Sequence, residues 1–171
     1  MSKTILIPTD FSIGSLNLVK EAARAVTGEE GVRLLLVHGV YLPDSIVDLL
    51  FFSKQRLIDD MVSKDFRDAC RIIHHKYYSQ ISAIQIELFT GYTQAAFQGL
   101  VDGFGIARAY VPKDHQVKPV GARSFDVMPF IRRSGVAITE VAWTPLRNSP
   151  EKDMLAELFH PDLEAGTSPA A

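Results

Sequence analysis

Candidate nucleophiles in the sequence are Ser12, Ser15, Ser124 and Cys70, residue types that hydrolases use for acyl transfer. None of these serines lies in the G-x-S-x-G turn that presents the nucleophile of an α/β-hydrolase. Cys70 falls on the apolar side of a predicted helix, where burial raises the pKa of a thiol and makes it inert. The sequence contains no complete catalytic constellation, and we predict that the protein is not an enzyme.

The spacing of the histidines does not favour a metal site. His74 and His75 are adjacent, so on a helix their side chains point about 100 degrees apart and cannot share a metal ion. No predicted helix carries the H-x-x-x-H pair of zinc hydrolases. His38-Gly39 matches half of a nucleotidylyltransferase signature, but it follows the second predicted strand and lacks a second histidine. We therefore predict no bound metal and assign no chemistry to His38.

Charged side chains suggest two places for a ligand. Asp10 could hydrogen-bond a ligand, or it could cap the following helix together with Ser12, and the sequence leaves both roles open. Between Arg108 and Arg133 basic residues outnumber acidic ones, so side-chain charge there could hold an anion. The basic residues of this stretch that could act in that way are Lys113, Lys118, Arg123, Arg132 and Arg133.

The elements that must position these residues begin with a strand, a helix and a strand. Lys3–Pro8 and Val32–Val40 contain apolar runs without polar alternation, which is typical of strands buried on both faces of a sheet. Between them, apolar residues at helical spacing predict a helix that begins after Ser12 as its N-cap and stops at Gly28. These elements form a right-handed βαβ unit with parallel strands.

The rest of the chain continues the alternation of helices and strands. An apolar stripe predicts one long helix, and Ile84–Phe89 predicts a strand at a sheet edge. Ala96–Val101 predicts a short helix and Ile106–Val111 a fourth strand. The residues of the long helical stripe are Ile58, Val62, Phe66, Ala69, Ile73 and Tyr77.

Three further segments complete the pattern. A helix around Val127 to Arg133 is predicted to have Asp126 as its N-cap, because Pro129 then falls in the first turn. Val136–Trp143 predicts the last strand. The apolar segment from Ile46 to Phe52 is predicted to be a short helix or an exposed patch, and burial is the commoner explanation.

Together these elements predict one open five-stranded parallel sheet with helices on both faces, an α/β fold. We assign residues 1–146 to this domain and residues 147–171 to a C-terminal tail that is partly disordered. Ligands of such sheets bind at the carboxyl ends of the strands, near the switch point. Thr9, Asp10, Gly39 and Pro112 occupy those ends.

Composition narrows the class of protein. The 171 residues are 47% hydrophobic and 22% charged, which predicts a globular chain, and the net charge of -2 supplies no field for nucleic acid or an anionic membrane. The single cysteine and the lack of a signal peptide fit the cytoplasm. No apolar run is long enough to cross a bilayer. We predict no nucleic-acid or membrane partner.

Two parts of the sequence carry a family resemblance. Residues 3–12, Lys-Thr-Ile-Leu-Ile-Pro-Thr-Asp-Phe-Ser, followed by Leu34–Val40, resemble the universal stress protein family. Ser124 through Ile138 looks like that family's last helix and last strand, with Gly135 where the family often has a proline. The resemblance implies a five-stranded α/β fold, a cytoplasmic location and a homodimer formed through the last strand. Members of the family are mostly regulatory or protective.

The resemblance also implies a nucleotide site, but this sequence lacks the glycine-rich loop that holds the phosphates. In ATP-binding members the phosphates rest on a loop of the form G-x-x-G followed later by G-[S/T], because glycine lets backbone N–H groups approach the anion. The corresponding stretch, Val111–Ser124, holds a single glycine, Gly121. The only G-x-x-G of the chain, Gly28–Gly31, precedes the second strand and contains two carboxylates that would repel phosphate.

The resemblance places Pro8, Thr9, Asp10 and Gly39 where the family contacts adenine and ribose. An adenosine end without its phosphate end predicts a weak, different or absent ligand, so we expect no cofactor, with ATP possible but disfavoured. The phosphate side of the candidate pocket would consist of Pro112, Lys113, Gly121, Arg123 and Ser124.

Three functions follow from these observations. The first is a universal stress protein-like regulatory or interaction module in the stress response that does not bind ATP efficiently. The second is an adenine-nucleotide-binding protein with an atypical phosphate site and slow or no hydrolysis. The third is a scaffold that binds a partner protein through residues 46–52 and the C-terminal tail.

Overall fold

The computed structural model describes residues 3–26, 31–113 and 120–142, which form a sheet between two layers of helices. A 3-10 turn, Ile13–Ser15, leads directly into the first helix. The helices are α1 (Leu16–Ala25), α2 (Ile46–Leu50), α3 (Lys54–Met61), α4 (Lys64–Lys76), α5 (Gln94–Phe104) and α6 (Met128–Arg133). The strands are β1 (Thr4–Pro8), β2 (Val32–Val40), β3 (Ile81–Phe89), β4 (Ile106–Pro112), β5 (Ser124–Phe125) and β6 (Ala137–Val141).

The sheet has six strands, five of which run parallel in the order β3-β2-β1-β4-β6. This order confirms the predicted parallel α/β sheet and the position of β3 at an edge. The sixth strand, β5, was not predicted, and it pairs antiparallel with the end of β2. A strand of two residues is too short to show the alternation by which strands are recognised.

The core lies on both faces of the sheet, as predicted. Every residue of β1 is buried, and its neighbouring side chains point to opposite faces. Ile5 and Ile7 belong to a cluster built with α1 and α4. Leu6 belongs to a second cluster that includes Phe97 of α5 and Ile131 of α6. The continuous apolar runs of β1 and β2 are explained by this double burial.

The single long helix predicted through Ile58 and Tyr77 is wrong, because the segment forms two helices. Val62 adopts an extended conformation between α3 and α4. The side chain of Ser63 then accepts a hydrogen bond from the backbone N–H of Phe66 at 3.1 Å and caps α4. Ile58, Val62 and Phe66 are nevertheless all buried, so the apolar spacing continues across the break and hides it.

For the apolar segment from Ile46 to Phe52 the structure confirms the short helix and the exposed patch that were predicted, and the burial given as the commoner explanation is wrong. The segment contains α2, which begins after its N-cap Ser45 and has no buried residue. Ile46, Leu50 and Phe51 are each 76% exposed. We call the exposed side chains around α2 the apolar patch, and its members are Leu42, Ile46, Val47, Leu49, Leu50 and Phe51.

The ends of the later elements differ slightly from the prediction. Val127, rather than Asp126, takes the N-cap position of α6, although the Asp126 carboxylate accepts a hydrogen bond from the backbone N–H of Met128 at 2.9 Å. Pro129 lies in the first turn, as predicted. The predictions for Gly28, Lys118, Trp143 and the tail at 147–171 lie outside the described residues.

Candidate functional site

The candidate site lies where β1, β2 and β4 end. β1 pairs with β2 on one side and with β4 on the other, so the winding of the chain reverses beside β1. Thr9 follows β1 and is buried, and its N–H donates to the carbonyl of Val37 at 3.0 Å. The Thr9 hydroxyl lies 3.1 Å from that of Ser15 and accepts the N–H of Phe11 at 3.0 Å. The N–H and the hydroxyl of Thr9 are therefore both used by hydrogen bonds within the protein.

Asp10 serves as a cap within the turn that precedes α1. Its carboxylate accepts hydrogen bonds from the backbone N–H of Ser12, at 3.0 Å, and from the Ser12 hydroxyl. The Ser12 side chain accepts in turn from the N–H of Ser15 at 3.2 Å and is the N-cap of the 3-10 turn. The structure thus shows Asp10 working with Ser12 at the start of the helical turn, and its role toward a ligand stays a prediction.

The strand β5 covers the end of β2 at Gly39. Gly39 pairs with Phe125, and the N–H of Tyr41 donates to the carbonyl of Arg123 at 2.7 Å. A Cβ added at Gly39 would lie 2.6 Å from the Phe125 carbonyl oxygen and 2.7 Å from its ring. Only glycine allows this close approach.

Aromatic rings hold β5 in this position. The Phe125 ring is buried, with its centroid 4.7 Å from that of Tyr41 and 5.0 Å from that of Tyr92. Phe89 and Phe130 lie 5.8 Å and 5.9 Å away on other sides. These separations and tilted or edge-on orientations are those that aromatic pairs prefer. The space next to Gly39 is thus filled by side chains of the protein itself.

His38 bridges the end of β1 and β5. Its Nδ1 lies 2.8 Å from the Thr9 carbonyl oxygen, and its Nε2 lies 2.8 Å from the Ser124 hydroxyl oxygen. Because a carbonyl can only accept, Nδ1 carries the hydrogen and donates it. In the neutral ring, Nε2 then accepts the hydrogen of the Ser124 hydroxyl.

Burial lowers the pKa of His38, while the hydrogen bond to the Thr9 carbonyl and the charge of Asp10 act in the opposite direction. The unfolded chain, with a His38 pKa near 6.5, therefore takes up a proton at a higher pH than the folded chain does. The free energy of unfolding contains a contribution from His38 that is complete above about pH 6.5 and is lost as the pH falls below that value.

We expect this contribution to have a slope of at most about 1.4 kcal/mol per pH unit, the limit for one proton. Urea unfolding at pH 7.5 and 5.5 should show a larger loss of stability for the wild type than for His38→Asn, which cannot titrate. Equal losses in the two proteins would show that the folded state does not disfavour protonated His38.

The residues predicted for the phosphate side are dispersed. Pro112 is buried within β4, as Pro8, from the adenosine side of the predicted pocket, is within β1. The N–H of Lys113 donates to the carbonyl of Val141 at 2.9 Å and extends the pairing of β4 with β6. This backbone donor is consequently used by the sheet.

Gly121 and Arg123 lie on the exposed segment before β5. A Cβ added at Gly121 would meet no atom within 4 Å, so no close backbone approach requires a glycine there. Among the predicted residues, the structure brings Thr9, Gly39 and Ser124 together around His38. It leaves the side chains of Lys113 and Arg123 at the surface.

Cys70 is half-buried against the core, as its predicted position on the apolar side of α4 implies. Burial raises the pKa of its thiol to about 12, and the charge of Arg67 acts in the opposite direction. We expect native Cys70 to resist iodoacetamide at pH 8 and to react fully in urea, since only the thiolate is nucleophilic. Mass spectrometry of the alkylated protein would measure this, and rapid alkylation of the folded chain would contradict it.

Neither a metal-binding cluster nor a membrane-spanning helix occurs in residues 3–26, 31–113 and 120–142. These residues contain no group of three or more histidine, cysteine or acidic side chains that could hold a metal ion. Within the same ranges, every helix is too short or too polar to traverse a lipid bilayer.

Phe125 and His38 are the residues that sequence reasoning missed. His38 carried a usable signal, because it is a polar residue inside the buried apolar run of β2 and such a residue needs hydrogen-bond partners. Phe125 carried none, because most of the rings around it belong to residues distant in the sequence.

No sequence profile of a known family matches the chain, and no curated protein matches it in sequence. Its structure is similar to that of the universal stress protein UspA from Lactobacillus plantarum, with a TM-score of 0.51 and 13% identity over 81% of this chain and 97% of that one. The fold is that of the universal stress proteins.

Other solved structures are similar to the chain at the same low identity. A hypothetical protein, PH0823, gives a TM-score of 0.50 with 14% identity over 86% of this chain and 100% of that one. A protein of the universal stress protein family from Burkholderia pseudomallei gives 0.49 with 13% identity over 81% and 95%. The similarity to UspA from Lactobacillus plantarum confirms, at the level of the fold, the resemblance seen in the sequence.

Proposed function

We propose that the protein is a regulatory or interaction module of the stress response, with the universal stress protein fold, that does not bind ATP efficiently. The position of β5 carries this proposal. Phe125 packs against Gly39, where the resemblance places adenine and ribose, and an added Cβ there would already collide with the Phe125 carbonyl. A ligand could enter this place only by displacing β5 and its aromatic contacts.

The phosphate side supports the same proposal. Phosphate loops need several backbone N–H groups that point at one anion. Here the N–H of Lys113 donates to Val141 and the N–H of Ser124 donates to the carbonyl of Gly121 at 3.0 Å. Binding through Lys113 and Arg123 side chains alone would lack the directed backbone donors.

Calorimetry with Mg-ATP tests the proposal. We expect no binding in the micromolar range for the wild type, and a micromolar Kd would overturn the proposal. The alternative, an adenine-nucleotide-binding protein with an atypical phosphate site, predicts binding that weakens in Arg123→Gln or Lys113→Gln. Arg108→Gln is the matched control, because Arg108 is an exposed arginine on β4 away from the strand ends.

The interaction part of the proposal includes a homodimer formed through β6. This strand has a neighbour only on its β4 side in the described sheet, and its residues from Ala137 to Glu140 are exposed. Sedimentation should give a dimer for the wild type and a monomer for Ile138→Lys, because a charge on an edge strand opposes pairing. Ile72→Lys, an exposed position on α4, should remain dimeric. A monomeric wild type would contradict the dimer.

The apolar patch favours a second interaction function. Its helix, α2, is apolar although none of its residues is buried, and exposed apolar patches mark sites of protein–protein interaction. In this alternative, residues 46–52 and the C-terminal tail bind a partner protein. Affinity purification with the Phe51→Ser variant should no longer recover that partner. The Tyr78→Ser variant is the control, because Tyr78 is an equally exposed aromatic residue outside the apolar patch, and this variant should still recover the partner. Removal of residues 147–171 tests the contribution of the tail, and equal recovery by all proteins would exclude this alternative.

A further inference from the structure

A chain of two hydrogen bonds joins His38 to the Thr9 carbonyl on one side and to Ser124 on the other. Both bonds of the imidazole, to Thr9 through Nδ1 and to Ser124 through Nε2, are 2.8 Å long. A serine hydroxyl beside a histidine nitrogen, with the other nitrogen held by a third group, is the arrangement that activates a nucleophile. The third group here is a main-chain carbonyl.

The base of this chain is fixed in place. His38 is buried, and Thr9, which orients it, is held by hydrogen bonds of its N–H and its hydroxyl. The Phe11 ring, 4.9 Å from the imidazole, packs against one side of it. An imidazole held in this way needs little reorganisation before it takes a proton.

The Ser124 hydroxyl lies at the outer end of this chain of hydrogen bonds. The bond from His38 to Thr9 is buried, whereas the bond from His38 to Ser124 is only partly buried, and the Ser124 residue is half-buried. The hydrogen-bond chain therefore runs from the interior towards the surface, which is the direction that an external reagent requires.

We propose that Ser124 is a nucleophile that takes an acyl group from activated esters, with His38 as its general base. Ser124 Oγ attacks the ester carbonyl carbon and forms the Oγ–C bond, while Nε2 of His38 takes the hydroxyl proton. The proton passes to the departing oxygen as the bond between that oxygen and the acyl carbon breaks, which leaves acyl-serine and an alcohol. Water then attacks the acyl carbon through the same base, and the carboxylic acid leaves as Ser124 regains its proton.

The charges near His38 suit this role. Burial favours the neutral ring, which is the form that can accept the proton of Ser124. Asp10, the charged group that acts on His38, favours the protonated ring and would stabilise the imidazolium that forms during attack. Asp10 does not touch the reacting atoms in this scheme and acts on His38 through its charge alone.

Peptide mapping of samples quenched with acid during the first turnover with p-nitrophenyl acetate, before the acyl-serine hydrolyses, tests the proposal. In the wild type we expect Ser124 to be acetylated faster than Ser45, an exposed helix N-cap. His38→Asn should slow the acetylation of Ser124 by about 100-fold or more, the usual contribution of a general base. Asparagine is chosen because its amide N–H can still donate to the Thr9 carbonyl. Ser124→Ala identifies the labelled peptide.

Two outcomes would overturn the proposal. Acetylation of wild-type Ser124 no faster than that of Ser45 would show that the hydroxyl is not activated. An unchanged rate at Ser124 in folded His38→Asn would show that the hydrogen bond is only structural. If circular dichroism shows that His38→Asn does not fold, the comparison of Ser124 with Ser45 in the wild type decides alone.

Discussion

Replacing Phe125 with alanine is expected to lower the free energy of unfolding by about 3 kcal/mol, the lower end of the range for a buried phenylalanine. The ring is 8% exposed and contacts aromatic rings on several sides. Its removal would leave a cavity between Gly39 and Tyr41 and would release β5 from the sheet. Urea unfolding followed by circular dichroism would measure the change.

The matched control is Tyr78→Ala, which removes an aromatic ring that is 77% exposed. We expect this change to alter the free energy of unfolding by no more than about 0.5 kcal/mol. A similarly small effect of Phe125→Ala would mean that β5 is not packed against the sheet in solution, and the argument against an adenosine site would lose its basis.

Gly39→Ala is expected to destabilise the protein by about 2 kcal/mol through steric overlap. The new Cβ would lie 2.6 Å from a backbone oxygen, which cannot turn away as a flexible side chain can. Either β5 moves or the end of β2 bends, and both weaken the pairing at Phe125. Urea unfolding measures the loss, and hydrogen exchange at the N–H of Tyr41, which donates to Arg123, reports whether β5 has moved.

Gly121→Ala provides the control for Gly39→Ala, because its Cβ would enter open space and should change stability by less than about 0.5 kcal/mol. A double mutant of Gly39→Ala with Phe125→Ala adds a second test. Since both changes disrupt the packing of β5, their joint effect should be smaller than the sum of the single effects. Strict additivity would indicate that the two residues do not act on the same element.

Much of the fold could be predicted because the central strands are buried on both faces. The run from Ile5 to Ile7 in β1 and the run from Leu34 to Val37 in β2 are apolar for that reason, and apolar runs this short are typical of strands buried on both faces. The helical spacing of α1 was equally clear, since one of its faces packs on the sheet.

The errors in the fold arise where apolar spacing does not report local backbone conformation. The stripe through Ile58, Val62 and Phe66 remains buried across the break at Ser63, so periodicity cannot reveal the second N-cap. α2 shows the opposite case, since its residues are apolar without being buried. Hydrophobicity favours burial but does not enforce it.

The candidate site was predictable as a location but not as a set of contacts. The position of Thr9 and Gly39 follows from where parallel strands end. The hydrogen bond between His38 and Ser124, however, joins residues that are 86 positions apart, and no local pattern encodes it. The same holds for Phe125, which pairs with Gly39 although the two residues are far apart in the sequence.

The central position of β1 has a consequence for how the chain folds as it is synthesised. β1 and β2 can pair as soon as β2 has been synthesised, but the other edge of β1 pairs with β4, and the hydroxyl of Thr4 donates to the carbonyl of Phe104, 100 residues later. Until that segment has left the ribosome, an apolar strand edge of the nascent chain is open to chaperones and to other chains.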